Sequence, residues 1–152
     1  MASHDALCRL TATEAVLRLK RREITPLDLI DAAARRIAQV EPAINALPTL
    51  CIARARAHAE RLMRGQGREA EAEPGWLAGL PVAIKDLADV AGVRTTYGSP
   101  IFRDHVPTRS HPVVERIERK GGIVICTVEP QSGHATIHRC ARKRIHGALC
   151  WL

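Results

Sequence analysis

The first third of the chain sets apolar residues at the three- and four-residue spacing of amphipathic helices, while the later part carries short continuous apolar runs, the pattern of buried strands. Thr11-Ala12-Thr13-Glu14 offers a capping box, in which a threonine oxygen accepts from an early helix N–H and the glutamate reaches back to the cap. Leu10, Val16, Leu17 and Leu19 predict one short helix there. Thr25-Pro26-Leu27-Asp28 repeats the device, with proline at the first helical position, where no N–H is needed, and an acid facing the positive helix end. A second helix is expected from about Pro26 to Gln39, with Leu27, Ile30, Ala34, Ile37 and Ala38 on one face and Asp28, Asp31, Arg35 and Arg36 solvated. Residues 44–50 read as short and irregular. Cys51 to Met63, rich in Ala, Arg and Leu, reads as a third helix with a solvated basic face.

Gly65-Gln66-Gly67-Arg68 and the Glu-Ala alternation that follows break the apolar period, which marks residues 65–75 as a surface loop or linker. Residues 1–64 are then an N-terminal helical region. Leu80 to Ile84 predicts a buried strand interrupted by Lys85-Asp86, and residues 95–100 read as loop. Val113, Val114 and Ile117 form a helical face from near Ser110 to Gly121-Gly122, where glycine can end a helix. Ile123 to Val128 is a second strand. Strand, loop, helix, strand describes a βαβ unit with parallel neighbours, so the fold class is α/β, with helices followed by the beginning of a mixed or parallel sheet over residues 76–128. Two strands would leave unpaired edges, and the sheet is expected to be incomplete.

Composition narrows the partners. Apolar residues make up 46% of the 152 and aromatics 3%, so a core must rest on Leu, Ile, Val and Ala. The net charge of +7 would suggest an anionic partner, but residues 129–152 form a divergent tail in which Arg139, Arg142, Lys143 and Arg144 meet no acid beyond Glu129. More than half the excess charge sits in residues 130–152, without the interleaved aromatics of a base-stacking surface, so nucleic acid is not the expected partner. Five irregularly spaced cysteines do not describe a secreted disulfide framework. The polar, acidic N-terminus lacks a signal peptide's pattern and no run reaches membrane-spanning length, so a cytoplasmic protein with no membrane partner is expected.

Gly79-Leu80-Pro81-Val82-Ala83-Ile84-Lys85-Asp86, followed by Asp89-Val90-Ala91-Gly92-Val93 and Thr95-Thr96-Tyr97-Gly98-Ser99, closely resembles the start of the amidase-signature domain. Upstream, Ile24 to Leu29 and Ile44 to Leu50 resemble that family's helical N-terminal region. Downstream, the likeness passes through His105-Val106-Pro107 and Pro112-Val113-Val114 to Gly121 through Ile125, so that it covers about Thr11 to Ile125. The resemblance implies hydrolysis of a carboxamide C–N bond in a small-molecule substrate, without a cofactor. It also implies that Lys85 is the catalytic base, acting through a serine in a cis peptide bond to activate a second, nucleophilic serine. Burial, which disfavours a charged ammonium, suits a lysine to that role.

The glycine- and serine-rich segment that supplies both serines and the oxyanion donors in the family is not found. Ser3, Ser99, Ser110 and Ser132 lack its setting, and Ser99 is read as structural. Beyond Ile125 the chain reads Cys126-Thr127-Val128-Glu129-Pro130-Gln131-Ser132-Gly133-His134, and from there to Leu152 no helical or strand period persists, as a frameshift would produce. With the lysine alone, this polypeptide is expected to be inactive by itself. A non-catalytic role is the alternative: assembly through the N-terminal helices, as a homo-oligomer or on an intact amidase, or adhesion of the basic tail to nucleic acid. His134, His138, Cys140, His146 and Cys150 match no closed four-ligand zinc pattern.

Overall fold

The computed structural model of the chain describes residues 4–129. Its elements are α1 (His4–Leu7), α2 (Ala12–Lys20), α3 (Pro26–Ile44), β1 (Thr49–Leu50), α4 (Ile52–Met63), β2 (Pro81–Lys85), a short 3-10 turn (Pro100–Phe102), α5 (Pro112–Arg119) and β3 (Ile123–Val128). The basic tail beyond Glu129 and its histidines and cysteines lie outside the described residues.

Both capping boxes form. Thr11 Oγ1 accepts from Glu14 N at 3.2 Å while Thr11 N donates to Glu14 Oε2 at 2.8 Å, and Thr25 and Asp28 make the same pair of bonds at the same distances. Each cap satisfies two N–H groups that a helix end would otherwise leave bare, a contribution of about 1 kcal/mol. α3 runs past the expected end at Gln39, through Pro42, to Ile44. It stops where Asn45 turns left-handed at φ 51° and donates to the Glu41 carbonyl at 2.8 Å.

The buried stripe of α3 is wider than the expected one. Ile30, Ala33 and Ile37 face α4 and the sheet, while Leu29 and Ala32 pack against α1, α2 and Leu80. Ala38, assigned to the apolar face from its spacing, is exposed, as is Leu17 of α2. A helix between two clusters must bury two adjoining rows, which displaces the stripe from the single row that spacing suggests. That face is therefore used within the chain.

The sheet has three strands in the order β1-β3-β2, with β2 parallel and β1 antiparallel to β3. The sequence pattern predicts irregular chain where β1 forms; β1 is too short to show a strand period, and its pairing with the central strand makes the sheet mixed. All of Ile123–Thr127 is buried, as both faces of a central strand require. Ile125 sits at a bulge: β2 pairs Val82 with Val124 and then Ala83 with Cys126, and the Ile125 carbonyl accepts from Cys51 N at 2.9 Å. α3 and α4 cover one face, with Ile123, Ile125 and Trp76 in the cluster, and Val114 of α5 covers the other with Val90, Val93, Val124 and Ile84. Each fully buried Ile or Val contributes about 1.5–3 kcal/mol. The glycine-bearing segment 65–75 is not wholly at the surface, since Ala70 joins the α3–α4 cluster.

Arg54 of α4 and Glu118 of α5 form a half-buried ion pair at 2.8 Å, which links helices across 64 residues of sequence. Gly79 leads into β2 at φ +95°, with its N–H bonded to the Gly121 carbonyl at 2.7 Å. A Cβ there would stand 2.3 Å from Pro26 Cγ, so only glycine lets this turn close on the start of α3.

Candidate active site around Lys85

Lys85 is the last residue of β2 and pairs in register with Val128, the last residue of β3. The two parallel strands therefore end together, and functional groups of α/β sheets gather outside such carboxyl ends. Its side chain is exposed among the described residues, whereas the role implied by resemblance calls for burial. The next residue reverses the environment. Asp86 is fully buried, its N–H donates to the Val128 carbonyl at 2.8 Å, and its Oδ2 accepts from Thr96 N at 3.0 Å and from the Thr96 hydroxyl. Asp86 thus fastens the 95–99 loop beside the lysine. Its Oδ1 is buried with no partner among the described residues.

Beyond Thr96, Tyr97 takes the left-handed conformation at φ 52°, and its hydroxyl donates to Asp89 Oδ1. That bond holds the phenol above its ordinary pKa range, because ionisation would remove the donated proton and leave a phenolate beside the carboxylate. His105 Nε2 lies 3.8 Å from the same Oδ1. The rings of Tyr97, Phe102 and His105 meet at centroid separations of 5.1 to 6.0 Å. Further bonds knit the segment: Thr95 N to His105 O at 3.0 Å, Gly92 N to Pro107 O at 2.9 Å, and His111 N to Asp89 O at 2.9 Å. Neither the Asp86–Thr96 link nor this aromatic cluster is legible in the sequence, where residues 95–100 show only as loop.

Two of the four serines, Ser99 and Ser110, fall among the described residues, and both serve the backbone. Ser99 Oγ accepts from Ile101 N at 3.4 Å at the start of the 3-10 turn, and Ser110 Oγ accepts from Ala91 N at 2.9 Å. Ser3 and Ser132 lie outside the described residues. Among the described residues no group of three His, Cys, Asp or Glu side chains is placed to hold a metal ion, and no helix is long and apolar enough to cross a membrane. A cleft of about 550 Å³ opens between the α2–α3 turn, the end of α4 and Trp76. It includes no residue of β2 or of the 86–111 segment and so is separate from Lys85.

Residues 28–135 match the family described as Amidase, a span that starts within α3 and continues ten residues past the Ile125 boundary read from the sequence. The chain is 37% identical over 118 residues to a glutamyl-tRNA(Gln) amidotransferase subunit of Carboxydothermus hydrogenoformans, in a match that covers 75% of this chain and 23% of that protein. It is 38% identical over 118 residues to 2-amino-5-chloromuconic acid deaminase of Comamonas testosteroni, covering 76% of this chain and 25% of the relative. A solved chain from a vestigial protein complex, studied for the origins of an s-triazine catabolic enzyme, superposes with a TM-score of 0.67 at 28% identity over 78% of this chain and 26% of its own. Fatty acid amide hydrolase gives a TM-score of 0.72 at 18% identity over 86% of this chain and 23% of its own, a likeness of fold. The chain spans about a quarter of the length of these relatives. With two thirds of its residues inside the matched span and its strands and helices laid out as in those structures, the chain belongs to the amidase family.

Proposed function

We propose that this chain is the base-bearing portion of a carboxamide C–N hydrolase. The observation that carries this reading is the position of Lys85, at the carboxyl end of β2 inside the matched span and in the Gly79–Asp86 string that resembles the family's own. In this scheme a serine hydroxyl adds to the amide carbonyl carbon, its proton passes through a second serine to Lys85 Nζ, and the amine leaves with a proton. Water then releases the acyl group. A lysine can accept that proton only when neutral, so chain packed over the exposed end of β2 belongs to the mechanism as much as the two serines do. By this reading the 152 residues alone turn over no amide, and the small-molecule amide binds only when the rest of the fold is in place. No cofactor is needed, because side chains and water account for every proton.

The test is a protein in which residues 1–129 of this chain are joined to the part of the Carboxydothermus protein that follows its matched segment. Hydrolysis of simple carboxamides, glutamine included, is followed by ammonia release. Lys85→Ala is expected to lower kcat by about 10³-fold, within the range for loss of a positioned general base. A Lys85→Ala protein within threefold of the parent would remove the proposed role.

A further inference from the structure

The cleft between the α2–α3 turn, the end of α4 and Trp76 has a volume of about 550 Å³, within the range of small-molecule sites. Two kinds of group line it. The inner wall is apolar: Leu19, Pro26, Leu62 and Trp76 are buried, with half-buried Ile24 and Ala78 beside them. The rim carries three cations, Lys20, Arg22 and Arg68, against one acid, Glu71. Glu71 is paired with Arg68, Asp28 is held in the Thr25 cap, and Glu23 pairs with Arg21 at 3.7 Å. Lys20 and Arg22 are exposed and make no ion pair among the described residues, so the mouth of the cleft keeps two uncompensated positive charges.

The walls are held in place by bonds that need no ligand. The indole of Trp76 lies against Gly121, where an added Cβ would stand 2.6, 2.7 and 2.9 Å from three of its carbons. Lys120 pairs with Glu73 and donates to the Pro74 carbonyl at 3.1 Å, and Leu77 N donates to the Lys120 carbonyl at 2.7 Å, which fastens the chain on both sides of Trp76. Across the cleft, Arg22 turns left-handed at φ 58°, and its N–H donates to the Leu19 carbonyl at 3.0 Å. A cleft built in this way orders little on binding, so apolar contact and charge are not offset by the cost of forming the site.

We infer that this cleft binds a small organic anion whose acidic group is carried on an apolar body, a medium-chain or aryl carboxylate. The apolar part is taken out of water against Pro26, Leu62 and Trp76, and the carboxylate accepts charge-assisted hydrogen bonds from Lys20 and Arg22. A bare inorganic anion would leave the apolar wall wet, and a cationic amphiphile would meet like charge at the rim. The cleft includes no residue of β2 or of the 86–111 segment, so the inference is independent of the role proposed for Lys85.

The test uses the full 152-residue chain with Trp151→Phe, which leaves Trp76 as the only indole. Octanoate, octylamine, octan-1-ol and acetate are titrated in turn, with Trp76 fluorescence as the readout. The expected result is saturable binding of octanoate, at least tenfold tighter than octylamine, and no response to acetate. Lys20→Gln with Arg22→Gln, both at exposed positions, should weaken octanoate about tenfold and leave octan-1-ol unchanged. Met63→Glu, which sets an acid at another exposed position on the lining, should weaken octanoate by a similar factor and shows the same site by repulsion. Absence of saturable binding, equal affinity for octanoate and octylamine, or octanoate binding that neither variant changes would overturn the inference.

Discussion

Gly79→Ala probes the turn on which the placement of Lys85 depends, because Gly79 sends the chain from Trp76 into β2 while touching the first turn of α3. An added methyl would stand 2.3 Å from Pro26 Cγ, 2.8 Å from Pro26 Cβ and 3.4 Å from Leu62 Cδ2. Proline cannot rotate out of the way, and Pro26 is itself buried. Forcing the overlap costs about 1–3 kcal/mol, and holding an L residue in the left-handed region costs about 1–3 kcal/mol more. The combined loss is about 4 kcal/mol, a large part of the 5–15 kcal/mol typical of a whole domain, and for a chain of this size it lowers Tm by about 8–16 °C. Gly92→Ala is the matched control: φ is +72° and no atom lies within 4 Å of its added Cβ, so it carries the conformational cost without the clash. The entropy that alanine removes from the unfolded chain is common to both variants and cancels in the comparison. Urea unfolding followed by circular dichroism should place Gly79→Ala about 1–3 kcal/mol below Gly92→Ala. Equal stability of the two variants would refute the packing argument and the proximity of the turn to α3 on which it stands.

Two further outcomes follow from titratable groups in the fold. His58, mostly enclosed beside Glu118, is pushed below its ordinary value of 6.5 by burial, with Glu118 opposing and Arg61 and Arg54 reinforcing the shift. The unfolded chain then binds a proton that the folded chain resists, so stability is unaffected well above pH 6.5 and falls as the pH drops below it. The difference in urea midpoint between pH 7.5 and 5.5 should shrink in His58→Gln, and an unchanged difference would count against it. Burial raises the Cys51 thiol to about 11 and the Cys126 thiol to about 12, so both should resist iodoacetamide at pH 8 in the folded chain and react after denaturation. Rapid labelling of Cys126 before unfolding would show that β3 is not the buried central strand.

The parts of the fold written in local chemistry are readable in advance. Thr11 with Glu14, and Thr25 with Pro26 and Asp28, mark two helix starts because each cap is closed by residues three apart. Ile123 to Val128 reads as a strand because a run of that length, bounded by Gly121-Gly122, fits no other element as well. What the pattern does not show depends on distant partners. Thr49–Leu50 is a strand only because Thr127 and Cys126 lie opposite it, and Ala38 is exposed only because α3 turns Leu29 and Ala32 toward a second cluster. At the site, Lys85 is found from the string around it, but the Asp86–Thr96 bond spans ten residues and the Tyr97–Phe102–His105 rings gather through backbone bonds that no spacing reveals. The exposure of Lys85 at the end of β2 is likewise seen only in the structure, because the apolar run that marks the strand does not say where its last side chain lies.

The most direct test of the central claim, that this chain supplies a base but no nucleophile, is amide hydrolysis by the purified 152-residue chain itself, followed as ammonia release from simple carboxamides between about pH 6 and 10. The expected rate equals that of buffer at every pH. Turnover above buffer that disappears in Lys85→Ala would contradict it, for it would place a working nucleophile within these 152 residues.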